Sequence, residues 1–194
     1  MEISKTCKRK DSGFTLIEVV VALFIFSLIG GTALNLLVSG IAAQRSSVAG
    51  QTLIDQTSFV AEYMSRALRQ AGKDLTSSGQ CIPRGWNYQI ITATTIRFLD
   101  RDNKCRDFFF STASSQVYQI ISANHQVSSP RSEQPLTSNN VDVQALTFSA
   151  QGENNQTDNL QPRVTFSLQV RAHGEKPSVF FQTTISQRRF DVVE

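Results

Sequence analysis

The pattern of apolar positions changes twice along the chain. Residues 14–43 are apolar on every side, and between Val19 and Ala43 there is no charged residue at all. At about 1.5 Å per residue such a segment makes a helix of roughly 45 Å, longer than the ~30 Å a bilayer core requires. Over residues 44–72 the pattern turns periodic. Val60, Met64, Ala67, Leu68 and Ala71 recur at helical spacing, and Phe59 and Tyr63 widen the stripe. Arg66 and Arg69 fall where cations suit the carbonyl end of a helix, and Gly72 is a natural terminator. One helix is therefore predicted from Phe14 to Ala71. Gly30, Gly31, Thr32 and Gly40 weaken its middle, and the glycine pair could serve as a hinge or as a close helix-packing point.

Residues 73–194 read as sheet. Short alternating runs predict strands near Trp86–Ile91, Thr95–Leu99, Phe108–Ser111, Gln116–Ser122, Val141–Ser149, Arg163–Ala172 and Val179–Gln187. The clearest alternation is Val164, Phe166, Leu168 and Val170, with Thr165, Ser167, Gln169 and Arg171 outward, as in a half-buried antiparallel strand. Asn124–Asn140 and Gln151–Pro162 read as loops. The expected fold class is α+β: a long N-terminal helix packed on a C-terminal antiparallel β-sheet head.

Composition bounds the class without naming it. A 194-residue chain with 40% hydrophobic and 18% charged residues is neither disordered throughout nor polytopic in a membrane. A net charge of +3 names no nucleic-acid partner. Charge placement says more. Lys5, Lys8, Arg9 and Lys10 precede the apolar run and Arg45 follows it, which puts the amino end in the cytoplasm by the positive-inside rule. A cleaved secretory signal would place its small-residue site at Ser39-Gly40 or Ala42-Ala43, but the run is too long and leaves one charge unexplained. That charge is Glu18, one turn into the apolar helix, where a carboxylate costs a few kcal/mol and needs a partner. No Lys or Arg lies between Asp11 and Gln44. The nearest cation would be a new α-amino group made by cutting before Phe14.

The segment Lys10-Asp11-Ser12-Gly13-Phe14-Thr15-Leu16-Ile17-Glu18-Val19-Val20-Val21-Ala22-Leu23 resembles the amino-terminal signature of type IV prepilins and type II secretion pseudopilins. The resemblance implies the type IV pilin fold and a prepilin peptidase that cuts between Gly13 and Phe14 and methylates Phe14. Glu18 becomes the fifth mature residue and the acidic half of an assembly charge pair. Each residue type suits its part. Gly13 leaves the scissile bond uncrowded, the basic leader holds it at the anionic leaflet, and Glu18 neutralises the amino terminus of a neighbouring subunit. A carboxylate that snorkels to the headgroups is the plainer alternative. Many major pilins carry a proline at the twenty-second mature position; Asn35 stands there instead, which leans toward a minor subunit. The run Tyr63–Gly72, and the closing strands around Arg163–Arg171 and Phe181–Arg189, resemble PilW-like minor pilins; the helix end also resembles J-type minor pseudopilins.

The domain reading is then a basic leader over 1–13, a transmembrane and filament-core helix over 14–43, an amphipathic half over 44–72 and a β-rich head over 73–194. Loss of a leader with four basic and two acidic side chains lowers the net charge from +3 to +1 and removes Cys7. Cys81 and Cys105 remain, and an even pair in an exported domain reads as a disulfide. The implied partners are other major and minor pilins, the prepilin peptidase and an inner-membrane assembly platform. The implied location is the inner membrane, in a single pass with the head outside, and then the filament.

Catalytic and cofactor chemistry has thin material. The histidines are His125 and His173, no serine sits in a nucleophile elbow, and the cysteine spacing is not a metal pattern. Asp100-Arg101-Asp102-Asn103-Lys104-Cys105-Arg106-Asp107 lacks the glycine and terminal glutamate of a calcium loop and reads as a solvated turn. Arg84, Arg97, Arg101, Lys104, Arg106, Arg131, Arg188 and Arg189 are interleaved with acids and read as ordinary surface, so nucleic-acid capture is the weaker reading. No enzyme activity and no cofactor are expected. The function expected is that of a minor pilin or pseudopilin that starts filament assembly at the tip. The alternatives are a type II secretion minor pseudopilin and an uncleaved membrane-anchored protein whose head binds a ligand.

Overall fold

Every polar group of the helix ends and strand edges has to find a partner, and this accounting organises the molecule. The computed structural model describes residues 13–76, 80–153, 160–174 and 178–188. Among these, one helix, α1 (Leu16–Arg69), precedes eight strands: β1 (Tyr88–Thr92), β2 (Thr95–Leu99), β3 (Cys105–Ser111), β4 (Gln116–Ser122), β5 (Arg131–Pro135), β6 (Val141–Gln151), β7 (Arg163–Ala172) and β8 (Ser178–Ser186). Apart from Gly13, the leader expected over 1–13 lies outside the described residues, and Cys7 and Arg189 do as well. The chain divides into two compact units, Met1–Ser47 and Val48–Glu194.

In the first unit the described chain from Leu16 onward is helical, and its side chains are exposed apart from the partly covered Gly30. Gly30, Gly31 and Gly40 are all helical. The glycine pair thus keeps its i→i−4 bonds and does not break the helix.

In the second unit the rest of α1 lays one face on the sheets. Leu53, Thr57, Val60, Ala61, Met64 and Leu68 are buried, and Tyr63 and Ala67 pack partly against the same core. The buried stripe starts at Leu53 and includes Thr57 and Ala61, which the sequence reading passed over. Phe59, expected to widen it, is 58% exposed. It stacks on Tyr63 at 6.1 Å between ring centroids but points away from the sheets.

Strands β1 to β5 form an antiparallel meander, and β6 to β8 form a second one. Their inner faces share the core: Tyr88, Ile96, Phe98, Phe108 and Val117 from the first, and Leu146, Phe148, Val164, Phe166 and Leu168 from the second. The alternation expected in β7 is the one observed, because Val164, Phe166, Leu168 and Val170 are buried while their neighbours are not. The sheets are joined where the outward N–H groups of β6 meet two turns. Phe148 donates to the Ala93 carbonyl and Val143 to that of Ser115, each at 2.8 Å.

Three sequence expectations need correction. The loop read over Asn124–Asn140 contains β5, whose residues are all exposed and so carry no alternation to detect. Strand β3 begins at Cys105 rather than Phe108. The supposed solvated turn over Asp100–Asp107 is solvated only in its middle: Asp100 and Asp107 are buried, at 6% and 4% exposure. Asn103, at φ 55°, makes the turn itself in the left-handed region that asparagine tolerates. At Gly152 a positive φ coincides with a close approach, since a Cβ there would lie 2.9 Å from the Leu160 carbonyl oxygen.

Candidate functional site

The first candidate surface is the amino-terminal part of α1. Among the described residues this helix is the one long and apolar enough to cross a membrane. Its side chains are open: Phe14 is 82% exposed, Leu16 83%, Phe26 75% and Leu36 75%. Two of its hydroxyls bond back to the helix. Ser27 donates to the Leu23 carbonyl at 2.8 Å and Thr32 to that of Ile29 at 2.9 Å. Such back-bonding suits a helix whose surroundings offer no water.

Gly13 and Phe14 precede the helix, and Thr15 is its N-cap. The Glu18 N–H donates to Thr15 Oγ1 at 3.3 Å and to the Thr15 carbonyl at 3.1 Å. Thr15-Leu16-Ile17-Glu18 therefore has the spacing of a capping box. The sequence reading weighed Glu18 for its charge and missed the Thr15 cap, although T-x-x-E before an apolar run was there to be read. The Glu18 side chain is exposed in the first turn, the end of a helix that favours an anion.

The head is held by a second set of residues. Cys81 and Cys105 are bonded, with Cα atoms 5.4 Å apart. They form a small core with Ile82 and Leu99, against which Trp86 and Val127 pack. Beside it lies Asp74, fully buried. Its carboxylate accepts from the Thr76 N–H at 2.9 Å and from the Cys81 N–H at 3.4 Å, and it pairs with His125 Nε2 at 3.0 Å. Burial alone would raise this carboxyl, but the Thr76 bonds and then His125 outweigh it and hold it below the usual range. A carboxylate thus fixes the loop that carries Cys81. The sequence reading placed His125 in polar loop surroundings and did not see this pair, because the partners are 51 residues apart.

The basic residues of the head are largely committed. Arg97 grips Asp107 with two bonds, Nε at 2.7 Å and Nη2 at 2.8 Å, and Arg131 adds a third at 3.2 Å. The bonds to Asp107 hold the Arg97 guanidinium above its usual value. Arg106 pairs with Asp100 at 3.0 Å. On the second sheet Asp142 accepts from His173 Nδ1 at 2.8 Å and sits 3.4 Å from Arg171, and the bond to His173 leads in lowering its carboxyl. Among the described residues no three His, Cys, Asp or Glu side chains gather as a metal-binding group.

The chain matches one family model, the prokaryotic N-terminal methylation motif, over residues 8–34. No curated protein and no solved structure gives a significant match. The matched segment brings together Gly13, Phe14, Thr15 and Glu18 and the start of the uncovered helix. Residues 8–34 of this chain thus carry the prokaryotic N-terminal methylation motif at the start of a long helix that is followed by two antiparallel sheets.

Proposed function

We propose that the chain is a minor subunit of a type IV pilus or pseudopilus that helps start assembly at the tip. It is made with a leader over 1–13, is cut between Gly13 and Phe14, and is methylated on Phe14. Before assembly the helix over 14–43 crosses the inner membrane with its amino end in the cytoplasm and the head outside. In the filament the same apolar surface packs against other major and minor subunits. This double use explains why a stretch without charge from Val19 to Ala43 is joined to a polar, disulfide-bonded head. Glu18 meets the α-amino group of a neighbouring subunit and removes two costly charges from an apolar surface.

The observation that carries the reading is the lone acid of an uncovered apolar helix, five residues after Gly13 within a matched methylation motif. Intact-mass and amino-terminal analysis of protein extracted from membranes tests it. A mature chain that starts at N-methylated Phe14 supports the reading. A chain that keeps its first thirteen residues while functional overturns it and favours an uncleaved, membrane-anchored head.

A further inference from the structure

The sheets expose several edges, and all but one are blunted. Strand β5 carries Arg131, Glu133 and Pro135, the usual means of repelling a further strand. Strand β1 has five residues and an irregular register after Ile90. The outward N–H groups of Val143 and Phe148 on β6 are taken by turn carbonyls. Strand β8 differs from all of these. It runs nine residues, Ser-Val-Phe-Phe-Gln-Thr-Thr-Ile-Ser, without a charge or a proline. Its register with β7 is unbroken from Ser178 to Ser186.

The hydrogen-bond phase shows which groups are open. Gln187 N donates to the Pro162 carbonyl at 3.0 Å in the same register. Bonded pairs alternate in an antiparallel ladder. Val179, Phe181, Thr183 and Ile185 therefore bond to β7, while the N–H and C=O groups of Ser178, Phe180, Gln182, Thr184 and Ser186 face outward. The parity of β7 agrees, because Phe148 N on β6 points away from it. Among the described residues no strand covers this edge. Beyond its end, Arg188 N turns to the Arg69 carbonyl at 2.9 Å.

We infer that β8 pairs antiparallel with β8 of a second copy of this chain, about a twofold axis at Gln182. The side chains are self-complementary in that register. Ser178 faces Ser186, Phe180 faces Thr184 and Gln182 faces itself; on the inner side Val179 faces Ile185 and Phe181 faces Thr183. Aromatic against β-branched pairs are favourable across strands, and no like charges meet. The result is an isologous interface that continues the three-stranded sheet into six strands. It covers Phe180, which is 64% exposed. The inference is independent of the filament reading.

The test uses the full chain purified in detergent in a Cys7→Ser background. Under mild oxidation Gln182→Cys should give a cross-linked dimer, and Ser132→Cys on the blunted β5 edge should not. In sedimentation, Gln182→Lys should be monomeric where the parent chain is dimeric, because two ammonium groups meet on the axis. Mixing Gln182→Lys with Gln182→Glu should restore a dimer, which a misfolded variant could not do. No cross-link at position 182, equal cross-linking at 132, or failure of the mixed pair to associate overturns the proposal.

Discussion

The Tyr88 hydroxyl donates to the main-chain carbonyl of Leu68 at 2.7 Å, and both residues are fully buried. The last carbonyls of a helix lose their i+4 donors; the Leu68 carbonyl accepts from the Ala71 N–H at 3.2 Å, and strand β1 supplies a second donor. Two more long-range donors complete the end of α1: Gln187 Nε2 to the Ala71 carbonyl at 2.6 Å and Arg188 N to that of Arg69 at 2.9 Å. Arg66 and Arg69 lie in the last turn as expected, and Arg66 also pairs with Glu62 at the surface. Replacing Tyr88 by Phe should cost about 1 kcal/mol, the usual net contribution of one intramolecular hydrogen bond, since the Leu68 carbonyl keeps its bond from Ala71. Urea unfolding at neutral pH measures it.

The same phenol makes stability depend on alkaline pH. Burial raises its pKa above the ordinary 10.0. The folded state then holds a proton that the unfolded chain releases, so its contribution is complete below pH 10 and declines as pH rises further. Unfolding midpoints recorded upward from pH 9 should fall faster for the parent than for Tyr88→Phe.

At the acid end Asp74 has the opposite sign. Its carboxyl is held below the ordinary 3.8, so its contribution is present above that value and is lost as pH falls through the folded pKa. Asp74→Asn should destabilise the head by roughly 2–3 kcal/mol at neutral pH and flatten the acid limb of the stability curve. An unchanged acid limb in that variant would show that another carboxylate governs acid unfolding.

The Cys81–Cys105 bond closes a loop with a sequence separation of 24. Chain-entropy arguments assign such a loop about 3–4 kcal/mol. The double variant Cys81→Ser, Cys105→Ser should lose that amount in denaturant titration, and adding reductant to the parent should reproduce the loss.

On the proposed function, Glu18 serves assembly and not processing. Glu18→Gln preserves the helix and its Thr15 cap but removes the charge, so cleavage after Gly13 should proceed while incorporation into filaments drops. Mass spectrometry of the membrane fraction and immunoblots of sheared filaments read the two steps separately. Normal incorporation of Glu18→Gln would remove the charge pair from the mechanism.

Elements with a strong local signature were legible from residues alone. The run from Phe14 to Ala43 has no polar side to hide, and β7 alternates because one of its faces is buried and the other is wet. Cys81 and Cys105 are bonded, as expected of the even pair that remains once Cys7 is set aside. What escaped notice had no local signature. Strand β5 has both faces exposed and therefore no period. Asp100 and Asp107 looked solvated because Arg106 and Arg97, which neutralise them, do so only after β2 and β3 pair.

By itself the sequence determined the uncovered helix, the place of its single acid and the β-rich character of the head, since these follow from hydrophobic period and charge along the chain. The tertiary structure alone decided which donors close the end of α1, that Asp74 and His125 share a buried contact, and which strand edge stays open. Those outcomes depend on groups far apart in the chain, and a hydrogen bond is decided by distance and direction in space rather than by the order of residues.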